Sequence, residues 1–193
     1  MSRVVVQTFV SLDGVAQAPG ARDEDAENGF PYGGWQFEYD FDIADLLLEW
    51  ESKTDALLLG RKTYDIWSGA WAVWPEDAAG LQGEFTRRYN RVTKYVASRT
   101  LTDPTWKNTE VITDVPAAVR AIEVEQEIRV WGSTGLIPTL AEHDLVDEYR
   151  IITYPVILGT GKKLFGDGFP HTKLTLDESY VHPSGVVVSR YVR

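Results

Sequence analysis

Three short stretches of this chain combine residue types that hold phosphate. Gly60-Arg61-Lys62-Thr63 follows an apolar run and opens a helical pattern. N–H groups at a helix start, a hydroxyl and two cations suit an anion. Without one, cations at that end oppose the helix dipole, and the pair also reads as plain surface charge. Ser98-Arg99 closes the segment VTKYVA. An Arg at a strand end can pair with phosphate or stack on a flat base, or simply face solvent. Gly132-Ser133-Thr134-Gly135-Leu136 follows EIRVW. Glycines there admit a ligand close to the backbone, and the N–H groups can hold a pyrophosphate. It is not a full G-x-G-x-x-G fingerprint. The run Gly159-Thr160-Gly161-Lys162 lacks Walker spacing and the hydroxyl residue after its Lys.

The elements that must position these stretches follow from hydropathy. Residues 3–10 are β-branched and predict a strand; residues 17–34, rich in Gly, Pro and acids, predict a long exposed loop. Residues 42–53 place Ile43, Leu46, Leu47 and Trp50 on one helical face, with Asp42 as a plausible N-cap. Residues 55–60 suit a strand buried on both faces, followed by a helix. Strands are expected at 92–98, 109–112 and 127–132, and helices at 80–90, 115–123 and 133–144, the last delayed or kinked by Pro138. A long strand at 146–157 and a hairpin about His182-Pro183-Ser184-Gly185 close the chain. This order predicts one α/β domain over residues 1–193. Its sheet is mostly parallel, with helices on both faces and antiparallel strands at the C-terminal edge. The three stretches then lie at strand ends, where open α/β sheets bind ligands.

Composition narrows the function. The 193 residues carry a formal net charge of −10, which argues against nucleic acid or an anionic membrane as partner. There is no cysteine, hence no disulfide, thiolate chemistry or cysteine-held zinc. His143, His171 and His182 are scattered and show no metal spacing. The N-terminus does not read as a signal peptide, and no apolar stretch is long enough for a membrane span, so a cytoplasmic protein is expected. Trp67, Trp71 and Trp74 share a helical face if the helix runs that far, and read as core or interface rather than a stacking platform.

The segments SLDG (11–14), LLLGRKTYDIW (57–67), VASR (96–99), WGSTGL (131–136) and DLVDEYRIITYPVILGTGKKLF (144–165) resemble the dihydrofolate reductase-like superfamily. Within it they are most similar to the branch holding the C-terminal reductase domain of the bacterial riboflavin-biosynthesis deaminase/reductase. The resemblance covers nearly the whole chain. It implies a three-layer α/β/α fold, NADPH as cofactor, hydride transfer to a pyrimidine- or pterin-like small molecule, and a homodimer built on the 146–157 strand and the C-terminal hairpin. It places Gly60, Arg61, Lys62 and Thr63 on cofactor phosphates and Ser98 and Arg99 near the 2′-phosphate. Gly132, Ser133, Thr134, Gly135 and Leu136 would support the pyrophosphate and nicotinamide, although the family turn usually begins Gly-Gly. Val10, Asp13 and Gly14 would border nicotinamide and substrate. The acid that dihydrofolate reductases carry on the first helix falls on Ala44, flanked by Asp42 and Asp45. Asp13, Asp42, Asp45 or a water is left to supply a proton, and Arg22 or Lys162 to meet a substrate phosphate. Dihydrofolate reductase-type activity and a non-catalytic nucleotide-binding protein are the alternatives.

Overall fold

The computed structural model describes residues 2–39 and 43–193. Eight strands join one sheet: β1 (Arg3–Ser11), β2 (Thr54–Gly60), β3 (Thr93–Ala97), β4 (Thr109–Ile112), β5 (Glu127–Trp131), β6 (Glu148–Tyr154), β7 (Thr175–Val181) and β8 (Val187–Val192). Their spatial order is β4-β3-β2-β5-β1-β6-β8-β7. The first six run parallel; β8 and β7 add antiparallel at one edge. Among the described residues the outermost strand, β7, pairs only with β8, and it is exposed along its whole length.

Helices cover both faces, as alternation along the strands dictates. Leu57 and Leu59 of β2 point to one side, where they join Leu47 and Trp50 of α1 (Ala44–Ser52), Tyr64 of α2 (Arg61–Ala70), and Phe85 and Tyr89 of α3 (Gly80–Arg91). Ala56 and Leu58 point to the other, against Val119 of α4 (Val115–Ala121) and Ile137 and Leu140 of α5 (Ile137–Glu142). The three-layer α/β/α architecture expected from the sequence is the one observed.

Some local expectations differ. The helix after β5 begins at Ile137, which puts Pro138 in its first turn, where a missing N–H costs nothing. Residues 132–136 are thereby left as a turn. Residues 17–34 are not simply an exposed loop. Phe30 and Trp35 are buried, and Trp35 Nε1 donates to the Gln17 carbonyl at 2.8 Å. Gln17 Nε2 in turn donates to the carbonyls of Asp25 and Glu27, each at 3.1 Å. Gly33 permits the fold of this segment, because a Cβ there would meet the Arg22 carbonyl oxygen at 2.2 Å. Asp42 lies outside the described residues.

Charge is buried deep in the sheet. Arg129 and Arg150, both almost wholly buried, alternate with Glu51, Glu127 and Glu148. Arg129 pairs with Glu51 at 3.1 Å and with Glu127; Arg150 pairs with Glu127 at 2.7 Å and with Glu148; Arg3 reaches Glu148 from the surface. Arg129 also donates to the Trp50 carbonyl at 3.0 Å, and the Arg150 guanidinium lies 4.9 Å over the Trp50 ring. Each charge of this cluster has an opposite partner, which is the condition for tolerating it. Lys94, also fully buried, donates to the carbonyls of Tyr89 and Val92 at 2.8 and 2.9 Å. Burial, with a contribution from nearby Lys107, lowers its pKa to about 8.

Candidate functional site

The β2–α2 turn and the β5–α5 turn stand side by side and are joined by hydroxyls. Ser133 Oγ accepts from the Gly60 N–H at 3.0 Å and donates to Thr63 Oγ1 at 3.0 Å; the Ser133 N–H donates to Thr63 Oγ1 at 3.2 Å. Gly132 and Ser133 both hold positive φ, +54° and +41°. That conformation disfavours a serine by on the order of 1–2 kcal/mol, and the three hydrogen bonds offset it. The Gly-Ser departure therefore buttresses the two turns against each other. It also occupies the Ser133 N–H, while Thr134 and Gly135 line the cavity beside it.

The two turns border a cavity of about 1140 Å³ between the sheet end, α2, α3 and the 17–37 segment. Gly60, Arg61, Lys62, Thr63, Gly132, Ser133, Thr134, Gly135 and Leu136 all line it. Among the described residues no side chain caps the start of α2, so its first N–H groups are open to an anion. A second, shallower depression of about 960 Å³ lies beyond the β3 and β4 ends, lined by Ser98, Arg99, Asp114, Arg120 and His143. Ala97 borders both cavities, and Arg61 Nη1 reaches Thr100 Oγ1 at 3.3 Å. The Ser98 hydroxyl is committed to its own turn, accepting from the Thr100 and Leu101 N–H groups at 3.2 and 3.0 Å.

The cations are answered by carboxylates. Arg61 pairs with Asp65 at 2.8 Å, one helical turn on. Lys62 and Lys162 both contact Glu27, and both reach Asp25, at 3.4 and 2.6 Å. This clasp ties the 17–34 segment to the start of α2 and to the 159–163 turn. Hydrogen bonds from Lys162 and Lys62 hold the Glu27 carboxyl below its ordinary range; at Asp25, burial pulls upward but the Lys162 contact outweighs it. Glu27, with burial opposing, raises Lys62.

Of the three acids expected to supply a proton, Asp13 and Asp45 do not line this cavity. Asp45 is exposed in the first turn of α1, facing solvent, and Asp42 is outside the described residues. Asp13 accepts from Ser11 Oγ at 2.6 Å and from the N–H groups of Leu158 and Gly159 at 3.1 and 2.8 Å, pinning the end of β1 to the turn after β6. Burial pulls its pKa upward, but these donors outweigh it and hold the carboxyl at about 2. Such a group cannot carry a proton near neutrality. Folding favours its ionised form, so its stabilisation is present above about pH 4 and lost as pH falls toward about 2. Asp13→Asn is expected to lower the thermal midpoint at about pH 6, with parent and variant converging below about pH 2; a constant difference across that window would contradict the role. Val10 is buried in the sheet core and Gly14 makes the following turn at φ +83°; neither lines the cavity. Arg22 is exposed on the loop and does not line it either.

The carboxyl that does line the cavity without a cation is Glu24. Its Oε2 accepts from the Gly20 and Ala21 N–H groups at 2.6 and 3.1 Å, and burial raises its pKa despite those donors. Gln36 stands on the same wall, about nine-tenths buried, with its Oε1 lacking a hydrogen-bond partner among the described residues. The acidic run 22–28 hid Glu24, because nothing local separates it from its solvated neighbours. Trp67, Trp71 and Trp74 all border the cavity, although α2 ends at Ala70. Trp67 stacks on Tyr89 at 5.0 Å, and Trp131, which also lines the cavity, donates from Nε1 to Glu51 at 3.0 Å. No helix among the described residues is long and apolar enough to cross a membrane.

Known proteins resemble this chain along nearly its whole length. The uncharacterised protein YyaP of Bacillus subtilis (strain 168) is 28% identical over 96% of this chain and 92% of its own length. A Shewanella sp. PV-4 structure, solved as a candidate riboflavin-biosynthesis protein, superposes with a TM-score of 0.71 at 22% identity, covering 99% of this chain and 98% of that one. A pyrimidine reductase-like protein of Corynebacterium diphtheriae superposes with a TM-score of 0.59 at 18% identity, over 99% and 91% of the two chains. The RibD C-terminal domain matches residues 2–188, and the chain belongs to that family.

Proposed function

We propose that this chain is an NADPH-dependent reductase of a small pyrimidine- or pterin-like ring. The observation that carries the reading is the pair of strand-end turns, buttressed through Ser133 and Thr63, with open N–H groups and Arg61 and Lys62 at the mouth of the cavity. That donor set fits an anionic dinucleotide: N–H groups and cations for the pyrophosphate, with Arg99 beside the adjoining depression for the adenosine end. The cofactor supplies a hydride when bound. The chain's part is positional. The two turns fix the polar backbone, and Leu136 and Trp131 present apolar surface beside it. The 17–37 segment forms one wall of the cavity, and water displaced by the bound cofactor strengthens the interactions inside. Glu24, whose pKa burial raises, is the carboxyl placed to hand a proton to the reduced ring.

Titration with NADPH, NADP⁺ and NADH tests the reading. NADPH is expected to bind with micromolar affinity or better, and more tightly than NADH. Absence of NADPH binding would overturn the proposal. Binding without oxidation across pterin, pyrimidine and simple carbonyl substrates would instead favour a nucleotide-binding protein that does not turn over.

A further inference from the structure

Lys62, in the first turn of α2, and Lys162, in the 159–163 turn, bring their ammonium groups to one atom. Both contact Oε2 of Glu27. Asp25 adds its two oxygens, Oδ1 at 3.4 Å from Lys62 and Oδ2 at 2.6 Å from Lys162. All four residues line the cavity. An anionic oxygen is what lets two like charges gather at one point. A phosphoryl oxygen has the charge to take that place, and its contacts to ammonium groups are of the same charge-assisted kind.

The backbone that presents these side chains is held by other contacts. The Ala16 N–H donates to the Lys162 carbonyl at 2.8 Å, the Lys162 N–H to Gln17 Oε1 at 3.0 Å, and Gln17 Nε2 to the carbonyls of Asp25 and Glu27. Gly161 is packed so closely that a Cβ there would meet Val15 and Phe30 at 2.7 and 2.8 Å. The ion pairs can therefore exchange partners while the segment stays in place. The Glu27 side chain is half exposed, and exposed pairs hold weakly.

We infer that Asp25 and Glu27 are built-in stand-ins for a phosphoryl group: they occupy the seat between Lys62 and Lys162, and a phosphate-bearing ligand takes that seat by displacing them. The inference deepens the reductase reading and rests on it for the source of the phosphate, which is either the cofactor's pyrophosphate or a phosphomonoester on the substrate. The carboxylates thereby set a threshold that a weakly charged anion does not cross.

The test is calorimetric titration with inorganic pyrophosphate, ribose 5-phosphate and NADPH at physiological salt. Glu27→Gln is expected to tighten pyrophosphate about threefold, the scale of one exposed ion pair, and Glu27→Gln with Asp25→Asn about tenfold. Asp23→Asn with Glu38→Gln removes the same charge from exposed positions of that region that do not line the cavity. This control is expected to stay within about twofold of the parent, because exposed charges are screened. Adding Lys162→Met to the Asp25/Glu27 double variant is expected to cancel the gain. A gain shared by NADPH identifies the cofactor's pyrophosphate as the occupant, and one shared by ribose 5-phosphate a substrate phosphate. Glu27→Gln, at its half-exposed position, decides the matter if the double variant does not fold. No pyrophosphate binding, unchanged or weaker binding by the carboxylate variants, an equal gain in the control, or a gain that survives Lys162→Met would overturn the inference. Failure of NADPH to bind with the pyrophosphate gain intact would overturn the cofactor reading alone.

Discussion

Replacing Arg129 with methionine is expected to destabilise the fold by about 3–5 kcal/mol, the scale for removing one partner of a buried ion pair. The substitution keeps much of the volume, so the loss is electrostatic rather than a cavity. Glu127 would retain Arg150 at 2.7 Å. Glu51 would keep only neutral donors, from Gln7, Thr54 and Trp131 at 3.1, 3.1 and 3.0 Å, and its charge would be stranded. Against a typical total of about 5–15 kcal/mol, that is a large share. Denaturant unfolding followed by circular dichroism measures it. Adding Glu51→Gln is expected to recover more than half of the loss, because the stranded charge goes with it. A single-variant cost under about 1 kcal/mol would show that water or rearrangement relieves the carboxylate. Since Trp131 is bonded to Glu51 and lines the cavity, its fluorescence should shift in the single variant.

Arg99→Ala is expected to weaken NADPH binding by about 1–3 kcal/mol and NADH binding much less, the difference being one charge-assisted contact to the 2′-phosphate. Arg61→Ala should act in the same direction but nearer the low end. Arg61 is held by Asp65 at 2.8 Å, and releasing that pair offsets part of what a phosphate contributes. The two arginines act on one corner, because Arg61 reaches Thr100, the residue after Arg99. About tenfold in affinity corresponds to 1.4 kcal/mol, well within the reach of fluorescence titration. Equal losses for the two nucleotides would refute the 2′-phosphate assignment.

What the sequence made legible was local. The apolar run before Gly60 and the helical pattern after it are adjacent in the chain, so strand, turn and phosphate-type residues could be read together. The same holds for Gly132–Leu136, where Pro138 signalled a late start or a kink, and the helix starts late, at Ile137. Burial of Phe30 and Trp35 was not legible, because the composition around them is that of a solvated loop and their contacts come from distant segments. The clasp of Lys62 and Lys162 with Asp25 and Glu27 joins three parts of the chain, and only the fold assembles it. Likewise, Arg129 and Arg150 sit in segments that read as strands, and their ion pairs depend on which strands become neighbours. Asp13 looked like chemistry because of its place after β1; its three donors show it working as a peg between loops.

The open edge at β7 has a consequence for how this molecule behaves in a crowd. A strand with unpaired backbone groups is a template on which another chain can lay itself down, and Leu176, Tyr180 and Val181 make this one greasy. Asp177 and Glu178 stand in its middle, held in place by Arg190 from β8. An identical strand arriving antiparallel about that point would bring acid against acid, and each arriving molecule carries a net −10. These two side chains thus disfavour an identical strand at that edge, a ninth added to the sheet of eight.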